Sequence, residues 1–592
     1  MKSSSKWGPL ILGHLALLVT LACLDRSHYD IATHTSVDNL VPRWLLWVLV
    51  VALHLALVKR ASPPDTRHHD KRLLFGMLAA SLCLWILPIS VRYWAVYALT
   101  LAVAATWLRL GRASNWRPSK RTCLLGIGTV ALVFLLGTFL HQVLMYLQFT
   151  LGYSDTGIYY DRLTTIFSGG SFHQINSDLA PYEKHFGPGL LVLAPILWLW
   201  RSPVALMLIQ SAGFVAAALA VAWVCRKRGL SWPVSAAMCA AFLVSPAVSQ
   251  GPYAYSFGFH APTAALPFFV LAWHWLDREQ WRLGVPAALA ACLMQEHIAI
   301  YFFGLATAWV LTAGKRRVGA VLGVLSLLYV YLAFRVFIPQ GSGQMSGGMV
   351  LWAHLGRTTG EILLSPFLRP SVWWDQLMRG TTLHHLLELL IPVAVLAWHR
   401  PRLCLALWPA VLFNVLRTDE VATCMALQYS TLSIGCVWIA AVAAMTDLPV
   451  GQRRGYAIAL VAGCLVCGLF MGNNPVARRT VLHKRPLAPL AESAEVFQRI
   501  RDLVPKSASV TADERTMLLF VNHRYARRAR FASHETDFLV FQRGARHRPP
   551  EKVDQEVAAR CATGNWQVIL DQAGVVVVQR TTPAQPIAEA EF

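Results

Sequence analysis

Apolar runs long enough to cross a bilayer recur from the start of the chain to about residue 471, with short basic clusters between them. "TCLLGIGTVALVFLLGTFLHQVLMYL" and "PVALMLIQSAGFVAAALAVAWVC" are two of them. No water reaches the hydrocarbon core, so a segment lodged there must satisfy its own peptide groups, and about 20 apolar residues of helix do so. Counting such runs predicts about fifteen crossings. Composition agrees: 56% of residues are hydrophobic and 14% charged, against roughly a quarter charged in soluble proteins. The expected fold is an all-α polytopic membrane protein.

The formal net charge of +22 does not point to nucleic acid, because the basic residues sit between apolar runs, where they orient helices. "KRASPPDTRHHDKR", "RLGRASNWRPSKR", "CRKRG", "DREQWR", "GKRR", "HRPR" and "GQRRG" all fall on one side if the N-terminus is cytoplasmic. That pattern closes only if "GPGLLVLAPILWLW" (187–200) lies in the interface without crossing. Pro188, Pro195 and its short length favour this. Residues 147–202, the short loop before Phe257, the junction at Glu296, 339–382, 417–428 and everything after Met471 then lie outside. Met1 to Leu24 resembles a signal peptide, but no small-x-small cleavage site follows it, so it reads as an uncleaved first helix.

Three regions are expected: helices over 1–121, a membrane core over 122–471 and a soluble region over 472–592. In the last, "SASVTAD" and "DFLVF" read as strands, "EKVDQEVAARCA" as a helix, and "WQVILDQAGVVVVQR" as a hairpin turning at "DQAG". This makes a small α/β domain. Cys561 is its one cysteine, which excludes an internal disulfide. Cys464 and Cys467 form a CxxC inside an apolar run and read as helix packing. The paired histidines His68 and His69 sit in a polar loop and read as solvated. No internal repeat supports a two-half transporter.

Polar residues collect at the outer face. The first outer loop carries Asp155, Asp161, Lys184 and His185, with Tyr153 and Tyr159 beside them. His260 opens a membrane helix, Glu296 and His297 stand where one helix ends and the next begins, and Arg357 lies in a later outer loop. Ionisable groups at such depth are costly unless paired, hydrated or used. Each also has a bland explanation: Asp155 as a helix cap, Lys184 and His185 as snorkelling residues, His260 as packing, and Glu296 with His297 as an interfacial turn.

The succession "SDTGIYYDRL", "KHFGPGLLVLAPILWLWRSPVALMLIQ", "SPAVSQGPYAYSFGFHAPTAALPF" and "LMQEHIAI" resembles a large prokaryotic family of multipass membrane proteins classed as a domain of unknown function. That family is similar in turn to the GT-C glycosyltransferases, which take sugars from polyprenyl-phosphate carriers outside the cytoplasmic membrane. The resemblance covers roughly residues 123 to 450 and implies a GT-C-like helical core in a bacterial inner membrane. Asp155 matches the acidic residue of the first outer loop. His185, Phe186 and Pro188 match a His-Phe-x-Pro, His260 a Phe-x-Phe-His, and Glu296 an acid at a helix end. The family's aromatic residue before the aspartate and its later glutamine are replaced here by Ser154 and, near the second place, Asp161.

Transfer from such a carrier needs a base for the acceptor hydroxyl and cations for the departing phosphate. The expected catalytic residues are Asp155, Asp161 and Glu296. Lys184, His185, His260, His297, Arg357 and Tyr159 are expected to bind substrate. The implied partners are a polyprenyl-phosphate sugar donor, membrane lipids and a glycan, lipid or protein acceptor, with no nucleic acid. Asp155, His260, Glu296 and His297 would also suit a divalent metal, which the spacing does not demand. A lipid-linked sugar or polymer transporter, or a non-catalytic membrane scaffold, are the competing readings.

Overall fold

A computed structural model of the chain describes residues 118–165, 185–251, 258–338, 349–418, 428–470 and 488–582, apart from a few positions within those ranges, together with Thr100 and Val103. The four leading crossings expected before residue 109 and Lys184 lie outside the described residues. The described residues are mostly helical, with one small sheet among them near the C-terminus. It divides into two compact units. One comprises Met1–Phe134, Gly213–Gly251 and Pro262–Leu482; the other Leu135–Ala212, Pro252–Ala261 and His483–Phe592.

Against about fifteen expected crossings, three helices among the described residues are long and apolar enough to span: Lys120–Leu147, Pro203–Lys227 and Arg316–Phe337. Proline accounts for several differences, because it removes an amide donor and clashes with the preceding turn. The run at 383–399 breaks near Pro392 into Gly380–Leu390 and Ile391–Val393. The run at 402–416 divides into Pro401–Cys404, Leu405–Leu407 and Trp408–Val415. Trp232–Val244, Trp281–Met294, Ile298–Val310 and Thr431–Asp447 are shorter apolar helices.

In the first unit, several basic residues among those described pair with aromatic rings, carboxylates and helix-end carbonyls. Lys120 and Arg226 both lie over the Trp232 ring, at 5.4 and 4.6 Å. Two residues on from Arg226, Arg228 pairs with Asp277 at 2.8 Å and covers Trp273 at 3.9 Å. The Asp277 carbonyl accepts from Lys315. Arg402 reaches the Leu311 carbonyl, Arg400 pairs with Asp447, and Arg453 donates to Thr446 and Leu448 carbonyls at 2.8 Å each. These contacts cap helix C-termini with cations, where the helix dipole favours positive charge. Cys464 and Cys467 pack inside the same unit, as their apolar setting predicts. Their thiols lie at the Pro392 carbonyl and the Thr100 hydroxyl.

The second unit takes the far end of Lys120–Leu147, a 28-residue helix about 42 Å long. Gln142 joins it to Pro203–Lys227 by donating to Ser211 Oγ at 2.9 Å and the Met207 carbonyl at 3.3 Å. Residues 187–200 form a 3-10 turn, Pro188–Leu193, and a helix, Ala194–Leu199. Together they extend roughly 20 Å, short of the ~30 Å hydrocarbon layer. Leu190, Ala194 and Leu197 are buried, whereas Val192, Trp198 and Leu199 are exposed.

The sheet has the order β2-β1-β3-β5-β4, with β1 Val510–Ala512, β2 Ala526–Arg528, β3 Phe538–Gln542, β4 Trp566–Gln572 and β5 Val575–Arg580. β1 runs parallel to β2 and β3, and β5 antiparallel to β3 and β4. The β4–β5 hairpin turns at Ala573 and Gly574, both with positive φ, the geometry that tight hairpins favour. Helix Pro550–Cys561 covers one face through Val553, packed on Leu539, Phe541, Val576 and Val578. Helix Leu490–Leu503 sets Phe497 against Tyr146 and Phe149, with ring centroids 5.0 and 5.9 Å apart.

Candidate functional site

Asp155 ends a tight turn and starts the helix Thr156–Thr165. Its carbonyl accepts from Tyr159 N–H at 2.8 Å, and its φ is 63°. That left-handed conformation is uncommon outside glycine and is tolerated best by Asn and Asp. The carboxylate Oδ2 lies 3.6 Å from Nδ1 of His260, with Asp155 29% exposed and His260 4%. At that distance the two side chains are in contact, slightly beyond a direct hydrogen bond. Asp155 is therefore both helix starter and half of a polar pair.

The turn and the histidine are fixed by neighbouring residues. Thr156 Oγ1 accepts from Phe259 N–H at 2.8 Å, and Gln210 Oε1 accepts from His260 N–H at 3.0 Å. Gly258 has φ 67°, and a Cβ there would stand 2.1 Å from Thr156 Oγ1. Only glycine allows so close an approach in this conformation. His185, three residues before the Pro188–Leu193 turn, lies within electrostatic reach of His260.

Asp161 is buried, and its Oδ2 accepts from the Tyr153 hydroxyl. It faces protein and acts as an anchor for the Tyr153 ring, which lies on Gly157. Tyr159 is buried too. It meets Phe259 edge to face at 5.4 Å and lies beneath Arg162 at 6.0 Å. The structure thus brings together Asp155, Asp161, Tyr159, His185 and His260 in the second unit.

Glu296, His297 and Arg357 belong to the first unit. Glu296 is buried between Trp281–Met294 and Ile298–Val310, within electrostatic reach of Tyr329. His297 stands 6.3 Å from the Tyr301 ring. Arg357 is exposed, and its backbone N–H bonds Glu361 Oε2 at 2.7 Å, while Thr358 Oγ1 accepts from Glu361 N–H. This reciprocal arrangement caps the helix Thr359–Leu368.

The C-terminal part of the second unit supplies residues that no local pattern announced. Glu514 accepts Tyr153 N–H on its carbonyl and Ser154 N–H on Oε1, both at 2.6 Å. Arg528 donates to Glu514 Oε2 at 2.7 Å and to Ser154 Oγ at 3.4 Å. The Tyr160 hydroxyl donates to Asn522 Oδ1 at 2.7 Å. Burial pushes up the Tyr160 phenol, so it stays a donor at neutral pH. Asp513, whose carboxyl is likewise raised by burial, accepts from Arg515 and Thr516 amides. That turn sets Glu514 at the carboxyl end of β1.

Among the described residues no group of three or more His, Cys, Asp or Glu is placed to hold a metal ion.

A family model described as "Predicted membrane protein (DUF2079)" matches residues 143–577. No curated protein matches the chain. Among solved structures, the chain is similar to ArnT from Cupriavidus metallidurans bound to undecaprenyl phosphate. The identity is 12% and the TM-score 0.41, over 78% of this chain and 99% of that one. For the apo state of the same protein the values are 15%, 0.34, 76% and 98%.

Proposed function

We propose that the chain, which belongs to the DUF2079 family of membrane proteins, transfers a sugar from a polyprenyl-phosphate carrier to an acceptor hydroxyl outside the membrane. The single observation that carries this reading is the Asp155–His260 pair: a partly exposed carboxylate 3.6 Å from a buried imidazole. It stands in the same unit as an interfacial segment whose Val192, Trp198 and Leu199 are exposed. A lipid-linked sugar is polar at one end and hydrocarbon at the other, so it calls for this pairing of surfaces.

In the proposed reaction Asp155 takes the proton from the acceptor hydroxyl as its oxygen bonds the anomeric carbon. The carbon–oxygen bond to phosphate breaks, and the polyprenyl phosphate leaves with the electron pair. His260 keeps the carboxylate in place, and His185 is positioned to meet the phosphate. Asp161 holds the turn through Tyr153, which gives it a supporting role. Glu296 is proposed as a further catalytic carboxylate, and His297, Arg357 and Lys184 as substrate-binding residues.

The test compares surface glycans and lipid-linked sugars in a deletion strain complemented with wild type or with Asp155→Asn. Loss of a base costs about 10²–10⁴-fold in rate, so Asp155→Asn should leave the lipid-linked sugar to accumulate while the protein stays in the membrane. Normal glycans with Asp155→Asn would return the protein to the transporter or scaffold readings.

A further inference from the structure

In open sheets with parallel strands, ligands gather outside the carboxyl ends of those strands. Here β1 and β2 are parallel, and the residues at their carboxyl ends, Glu514 and Arg528, grip the chain's own turn at Tyr153–Asp155. Glu514 accepts both Tyr153 and Ser154 amides. Arg528 bridges the Glu514 carboxylate and Ser154 Oγ, and its guanidinium lies 5.8 Å from the Tyr153 ring centroid. Asp155 follows immediately in its left-handed conformation. An isolated turn would have little to hold such a backbone, and strained conformations persist only where surrounding contacts determine them.

We propose that Glu514 and Arg528 are positioning residues, which hold the 153–155 turn so that the Asp155 carboxylate stays at His260. Their consequence for turnover rests on the transferase reading above; the clamp itself does not. Misplacing a base by about 1 Å costs on the order of 100-fold, and a residue acting this way affects turnover more than donor affinity.

The experiment uses the full-length protein in lipid nanodiscs, as wild type, Glu514→Ala, Glu514→Gln and Arg528→Ala. Hydrogen–deuterium exchange is followed over 151–160. Transfer is assayed from undecaprenyl phosphate carrying radiolabelled mannose or arabinose. Glu514→Ala should speed exchange over 151–160 about tenfold or more with 431–447 unchanged. It should lower kcat about tenfold or more while donor KM moves less than about twofold. Glu514→Gln keeps an acceptor for Ser154 N–H and should recover most of both losses. Arg528→Ala should move both readouts the same way by a smaller factor, and it carries the test if Glu514→Ala does not insert. Unchanged exchange over 151–160 in Glu514→Ala and Arg528→Ala overturns the proposal. So does faster exchange with unchanged kcat, which leaves the transferase reading standing. Faster local exchange in a protein whose wild type transfers neither sugar supports the clamp and counts against the transferase reading.

Discussion

Thr156 and Phe259 are joined by a 2.8 Å hydrogen bond, from the Phe259 amide to the Thr156 hydroxyl, and each is the chain neighbour of one member of the Asp155–His260 pair. Two segments 103 residues apart in sequence are thereby registered to one another one residue away from the polar pair. A site can be held more exactly by backbone bonds beside it than by its own side chains, which stay free for substrate.

Gly258→Ala should break that registration. The new Cβ would stand 2.1 Å from Thr156 Oγ1 at φ 67°, and the left-handed conformation alone costs about 1–2 kcal/mol. The expected outcome is normal membrane insertion with a fall in transfer of about tenfold or more. Full activity in glycan profiling would show that the 258–260 loop does not set the pair.

Tyr153→Phe removes the hydroxyl that donates to buried Asp161. A buried acceptor left short of a donor costs about 1–3 kcal/mol. Thermal unfolding in detergent should shift down, and Tyr153→Phe with Asp161→Asn together should lose less than the two single losses combined. Additive losses would mean that the two side chains do not act as a pair.

Residues 187–200 should lie in the outer interface. With native cysteines removed, Gly187→Cys and Arg201→Cys should both react with an impermeant reagent added outside. Labelling at 187 alone would establish a crossing and reverse the side assigned to Arg226 and Lys227.

Basic clusters between apolar runs are expected on the cytoplasmic side, with the C-terminus outside. An alkaline phosphatase fused after Phe592 should be active in a bacterial host. An inactive phosphatase paired with an active cytoplasmic reporter at the same point would turn the whole site toward the cytoplasm.

In the sequence His260 stands out as an ionisable residue in an apolar stretch, and Asp155 as an acid shortly after a long apolar run. The strands and helix of the C-terminal domain were legible from period and turn residues: "DFLVF" contributes to β3, "EKVDQEVAARCA" to Pro550–Cys561, and "DQAG" to the turn of the β4–β5 hairpin. β2, the three residues Ala-Arg-Arg, was not, since it is too short and too polar to show alternation. Tyr159 is expected from sequence to bind substrate; the sequence does not show that its ring meets Phe259, because an aromatic residue near an outer loop has the same letter in either use. Glu514 and Arg528 were invisible for a different reason. Their partner Ser154 lies 360 and 374 residues away, and no local spacing encodes a contact so distant.

That separation also sets a schedule for biosynthesis. At about 5–20 residues per second, 360 residues take roughly 20–70 s to synthesise, so the 153–155 turn is made long before Glu514 exists to hold it. A nascent chain thus inserts its helices before Glu514 and Arg528 are present to hold the 153–155 turn. Chains halted before residue 488 should be cut by added protease within 151–165, whereas finished chains should resist there. Equal resistance in both would mean that the turn orders itself without its late partner.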